Sequence, residues 1–399
     1  MLHSPEIQWD DETRTVTGTK GDTIVELTIG SDIAKLNGVA SQLEVAPQII
    51  NDSTMIPLRY VSESLDMHVA WIVSERQVYI AKDREIEGTT MKSVIALNKK
   101  YAPTFTGDRF VEQPSYTAPY AAGKLADGFL QDGINIVNFA REMAGVPVIS
   151  LDPELNDSAM HAMTIFEAGN QFTHNPIKPV DMSDSFYQKG LAAAKGNLAP
   201  TRENSNRTEL LDGLKLMFMD QGVTTLGHRR NLLAPVVNKL GIGYSSLNID
   251  GTNPTNTNVK AKLITNFGTT KNNSYNYDYI AWPSKGYFPV DWLAPGVNFS
   301  VSLNPDKYQP VDWTKVGVAV TNLLDGSTRN LVYGKTDGFY VNVENRGEGA
   351  VIAFFPKDKA EFLKAPNAGD EFQIEITGLT KTDGTPATIK YTVKLFAME

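Results

Sequence analysis

The side chains able to do chemistry are few. The chain holds no cysteine in 399 residues, which removes thiol catalysis, disulfides and zinc–thiolate sites. Five histidines remain, and His174 and His228 lie in polar, turn-rich segments. Two imidazoles brought to one groove can hold a divalent cation such as zinc, with water completing the shell. Alternatively, each bonds loop backbone and only shapes the groove. Hydrolysis needs a nucleophile or activated water and a positioned base. Ser183 and Ser185 lie between the two histidines, but no spacing ties either to an imidazole, and no Gly-x-Ser-x-Gly elbow occurs. Glu167 and Glu203 flank the histidine segments and are the other acids worth testing. Gly241-x-Gly243 lacks the third glycine of a dinucleotide site.

The elements that must position these groups read as helices followed by strands. Leu130, Ile134, Val137 and Arg141 mark one helix face, ended by Gly145. Asp152-Pro153-Glu154 opens a second helix, with Asp as N-cap and Pro in the first position. That helix carries Leu155, Ala159, Ala162, Met163 and Phe166, and His161 on it reads as packing. A further helix is expected over 208–221, and 240–244 and 261–267 read as strands.

These residues together resemble the CAP superfamily, the SCP-like extracellular domain in its bacterial secreted form. Asn138-x-x-Arg141-x-x-x-Gly145 resembles its opening helix, and Leu155-x-x-x-Ala159-x-His161-Ala162 its second. Phe172-Thr173-His174 and Gly227-His228-Arg229-Arg230-Asn231-Leu232-Leu233, followed by Gly241-Ile242-Gly243, supply its two pocket histidines in the expected order. The resemblance implies a pocket of His174, His228, Asn197 and Asp220, with zinc possible at the two histidines. It also implies a domain associated with lipids, sterols and divalent metals. The family's first acid falls on Gly196 within Lys195-Gly196-Asn197-Leu198-Ala199, and only Asp220 stands near the second. With the acids eroded, the expectation leans away from an enzyme.

The N-terminal region repeats itself. Trp9 is followed by Arg14 and Val16, and Trp71 by Arg76 and Val78 at the same offsets. Each copy reads as strand, polar turn and strand, with the tryptophan packed inward. Leu27-Thr28-Ile29-Gly30-Ser31, Asn37-Gly38, Met55-Ile56-Pro57-Leu58-Arg59, Ser62-Glu63-Ser64-Leu65 and Val69-Ala70-Trp71 resemble the copper amine oxidase N-terminal domain, a stalk-like module of exported Gram-positive proteins. His68 alone makes no copper site. Met1–Asp10 lacks a basic stretch before an apolar core, so no signal peptide is read there. The repeat begins so near Met1 that a trimmed start, and hence export, is expected.

Beyond residue 275 the pattern alternates with period two, over 298–303, 315–320, 372–376 and 389–395, with turns at Asp325-Gly326, Asp337-Gly338 and Asp383-Gly384. Trp282-Pro283-Ser284-Lys285-Gly286-Tyr287 reads as a sugar-stacking surface or an inter-domain plug. The expected fold class is multidomain α+β. It comprises a stalk module over 1–83, a connector over 84–125, a CAP-type α-β-α sandwich over 126–272 and an all-β, Ig-like sandwich over 275–399. Net charge of −9 without a basic stripe argues against nucleic acid, and no apolar run is long enough to span a bilayer. The expected setting is extracellular or cell-wall associated. The expected partners are a cell-wall component, a lipid or an extracellular protein, with a peptide or cell-wall hydrolase using His174 and His228 as the alternative.

Overall fold

A computed structural model describes residues 6–73, 75–202, 209–245, 259–269, 275–333, 340–346, 349–355 and 366–398. Glu203 and the Asp337-Gly338 turn lie outside them. The chain is mixed α+β and divides into two compact units, Met1–Glu85 with Ala397–Glu399, and Ile86–Phe396.

In the first unit, strands Glu6–Asp10, Thr15–Lys20, Thr23–Thr28, Ile33–Leu36 and Val39–Gln42 form a sequential antiparallel sheet. Helix α1 (Leu58–Ser64) starts after Pro57, whose fixed φ suits a helix entrance. Tyr60 and Val61 of α1 pack on Val25, Leu27 and Ala34. The repeat appears as two hairpins of identical register, with Trp9 opposite Val16 and Trp71 opposite Val78. Arg14 and Arg76 occupy matching turn positions at φ 52° and 55°. The inward tryptophans are not found: both are 45% exposed. Strand Glu6–Asp10 is a sheet edge and Met67–Ile72 belongs to a two-stranded sheet, so neither indole has a second layer to enter.

The second unit opens with α2 (Met91–Lys100), where no element was expected. Thr90 and Ser93 form a reciprocal capping box, and Met91 and Val94 are buried. Next come α3 (Asp127–Met143), α4 (Pro153–Ala168), α5 (Asp184–Ala193), α6 (Glu209–Met219) and α7 (Gly227–Leu233). They surround a sheet ordered Ser150–Leu151, Val237–Ser245, Val259–Thr269, Asn197–Arg202, parallel at the first pair and antiparallel after it. The Asp152 carboxylate accepts from the backbone N–H of Glu154 and Leu155, as its cap position requires.

Helices cover both faces of this sheet, and alternation along one strand shows why. A Cβ on Gly241 or Gly243 would stand 2.3 Å from Leu155 C or 2.6 Å from Ala159 O, so those two positions let α4 lie directly on the strand. Ile242 between them points the other way, its Cδ1 2.7 Å from where a Cβ on Gly133 of α3 would sit.

The C-terminal part of this unit is two sheets. One orders Tyr279–Trp282, Phe299–Leu303, Gly349–Phe355 and Tyr340–Arg346. The other orders Gly286–Pro289, Pro386–Phe396, Glu371–Thr380, Gly317–Asn322 and Thr328–Val332. Phe299 of the first meets Phe372 of the second edge-on at 6.5 Å, and Ile374, Ile376, Val393 and Leu395 fill the space between. Trp282 and Tyr287 are fully buried, which removes the sugar-stacking surface. Instead Trp282 stacks on Phe218 of α6 at 5.5 Å and meets Phe288 and Trp292 edge-on, joining the helical layer to the strands. Among the described residues, no helix is long and apolar enough to cross a membrane.

Candidate functional site

His228 lies in the first turn of α7, and its ring is oriented by a buried acid. Its Nδ1 is 2.6 Å from Oδ1 of Asp220, whose side chain is fully buried. The other oxygen, Oδ2, accepts from the Arg229 backbone N–H at 3.0 Å. Two non-glycine residues with left-handed backbone bracket this loop, Asp220 at φ 45° and Leu226 at φ 51°. Asp tolerates that conformation, whereas for Leu it costs about 1–2 kcal/mol, which the surrounding contacts must offset.

Arg229 supplies much of that support. Its buried guanidinium donates to the carbonyls of Phe218, Met219 and Asn298 and to Ser300 Oγ, binding the end of α6 and the start of α7 to the strands. The sequence shows it only as half of an arginine pair. Its role depends on acceptors some seventy positions away, as in Arg229 to Ser300, which no local pattern displays.

Asn197, also buried, holds the same loop from the sheet. Its amide donates to the His228 carbonyl at 3.0 Å, and Asn231 donates to its Oδ1 at 2.8 Å. His174 is exposed, and its Nδ1 donates to the Ala194 carbonyl at 2.8 Å. Thus the ring of His174 and the backbone of His228 are tied to one short stretch, 194–197. A carbonyl or carboxylate partner at Nδ1 places the proton there, so each neutral imidazole presents Nε2 as an acceptor. Neither Nε2 has a partner among the described residues.

Among the described residues, the remaining candidates are spoken for. Ser183 Oγ caps α5 by accepting from Phe186 N and bonds Ser185. Glu167 pairs with Lys262 at 2.8 Å and accepts from Ser245, with both ends of the ion pair buried. His161 bonds Asp157 and lies 4.3 Å from the Phe186 ring, the packing role expected of it. In the other unit, His68 donates to the Ala397 carbonyl at 2.6 Å.

A resident zinc fits this donor set poorly. Both oxygens of Asp220 are committed, Glu167 is held by a lysine, and no group of three or more His, Asp or Glu side chains able to hold a metal occurs among the described residues. Where the resemblance expects an acid, a Cβ on Gly196 would lie 2.0 Å from the Thr265 carbonyl oxygen. Two imidazoles alone leave at least two positions to water, far from a closed structural site.

The opening motif is structural. Asn138 exchanges two 2.9 Å hydrogen bonds with the backbone of Ile149. Arg141, fully buried, donates to the carbonyls of Pro147, Leu232, Ala234 and Val237, closing the end of α7. Burial lowers its pKa to about 10, still charged at neutral pH.

Residues 4–80 match the family model described as the copper amine oxidase N-terminal domain. No curated protein matches the chain. A solved structure, a 1.5 Å crystal structure of an extracellular protein containing a SCP domain from Bacillus anthracis str. Ames, is 13% identical over 66% of this chain and 88% of that one, with a TM-score of 0.24.

Proposed function

We propose that the helical part of the second unit, residues 126–272, is a CAP-type domain of an extracellular, non-catalytic protein. It holds a cell-wall component, a lipid or an extracellular protein at the face carrying His174 and His228. The two C-terminal sheets are then an Ig-like sandwich, and the N-terminal module serves as a stalk at or near the cell surface. The motif chemistry supports this reading: Asn138, Arg141, Gly241 and Gly243 each make the close contact that would keep such a domain's helices on its sheet.

One observation carries the non-catalytic part. Asp220 and Glu167 have both oxygens engaged by protein donors, while the two imidazoles keep Nε2 as acceptors. Such a face receives hydroxyl or amide donors from a ligand and, among the described residues, neither candidate carboxylate is spare to activate water. A hydrolase remains the second reading, because the Asp220–His228 pair is the orientation a general base uses.

Sedimentation with purified Gram-positive sacculi separates them. Protein in the pellet, lost in His174→Ala and His228→Ala and without soluble fragments, supports binding. Fragments whose release stops in His228→Ala establish the hydrolase. Protein left in solution, with nothing released, rejects the cell wall as partner.

A further inference from the structure

A cleft in the second unit has neither His174 nor His228 in its lining. It has a volume of about 410 Å³, within the range of small-molecule sites, and runs between α7, the ends of the central strands and the first sheet of the C-terminal part. We propose that it binds a neutral glycan segment of one or two pyranose rings.

Its walls carry both faces of sugar recognition. Tyr275 and Tyr277 line it as a parallel pair, centroids 5.5 Å apart and 14° between planes, a platform for the apolar C–H face of a pyranose. Around them stand Asp306, Ser302 and Asn231. Among the described residues, the Asp306 carboxylate has no hydrogen-bonding or ion-pair partner. The same holds for the Tyr277 and Ser302 hydroxyls and the Asn231 side-chain oxygen. Polar groups left without partners at a cleft wall are donors and acceptors for the vicinal hydroxyls of a sugar. Burial, and after it the charge of Asp306, pushes the Tyr277 hydroxyl up to about 12.

Charge and polarity disfavour an anionic ligand or an acyl chain. An anionic ligand would face Asp306, while Arg230 already holds Glu344 at 2.8 Å. An acyl chain would leave the polar groups on several elements dry and unpaired.

Isothermal titration of the intact protein with N,N′-diacetylchitobiose tests this, with sorbitol as a hydroxylated control lacking a rigid ring face. Saturable heat with chitobiose and none with sorbitol is expected. Tyr277→Ala should weaken binding about tenfold or more, and Asp306→Asn several-fold. Tyr277→Phe, which keeps the ring and loses only the hydroxyl, should weaken binding less than Tyr277→Ala and guards against misfolding in the alanine variant. His174→Ala should leave it unchanged, which separates this cleft from the histidine face. No saturable heat up to about 10 mM, full affinity in both Tyr277→Ala and Asp306→Asn, or loss in His174→Ala would overturn the proposal.

Discussion

Replacing Gly196 by the acid that the CAP resemblance expects distinguishes sequence analogy from packing. By analogy, Gly196→Glu restores a metal ligand beside the histidines. In the structure, the first side-chain atom would lie 2.0 Å from Thr265 O and 2.9 Å from Thr265 C, both backbone. Thr265 cannot retreat cheaply, because it pairs with Asn197 on one side and Ile242 on the other. Opening more than an ångström there strains two ladders, so even Gly196→Ala costs about 3 kcal/mol, the upper part of the overpacking range. At roughly 2 °C per kcal/mol for a large unit, the melting temperature falls by about 6 °C. Gly196→Glu falls further and gains no zinc affinity. Scanning calorimetry and zinc titration on wild type, Gly196→Ala and Gly196→Glu give both readouts. A Gly196→Glu protein that melts like wild type and binds zinc tightly would refute the reasoning.

Arg141→Met removes the donor to four backbone carbonyls at a fully buried position, and we expect a loss of about 3–5 kcal/mol by denaturant titration. Arg141→Lys restores little, since a single ammonium cannot span that fan of acceptors; near-complete rescue would contradict the assignment. Burial raises the Tyr277 and Tyr279 hydroxyls to about 12, so the folded chain keeps protons that the unfolded chain loses near pH 10. Their contribution is therefore complete below about pH 10 and is lost as pH rises through about 12. Melting temperatures measured from pH 9 upward should fall over that window, and less steeply in Tyr279→Phe.

Features that depend on neighbours along the chain were legible in the sequence. The Asp152 cap, the Gly145 helix end and the Asp383-Gly384 turn follow from local backbone chemistry. The repeated Trp–Arg–Val spacing predicted two hairpins, and the cross-strand pairs Trp9 with Val16 and Trp71 with Val78 follow from it. Features that depend on distant segments were not. Helix α2 carries a short apolar face with Met91 and Val94 buried, but what that face packs against is α3 and Gly286–Pro289, far along the chain. Whether a tryptophan is buried was equally hidden: Trp9 and Trp71 lie at exposed hairpins, while Trp282 is enclosed by Phe218, Phe288 and Trp292.

The candidate site divides in the same way. The types and order of His174, Asn197, Asp220 and His228 can be read in the chain, because a motif is a local record of which side chains are present. The use made of each was decided by tertiary structure. Asp220 is committed to His228 and Arg229, Glu167 to Lys262, and Gly196 lies too close to Thr265 for any side chain. A hydrogen-bonding group or a few cubic ångströms of space can be taken only once, and the residues that take them come from strands and helices that meet only when the chain folds.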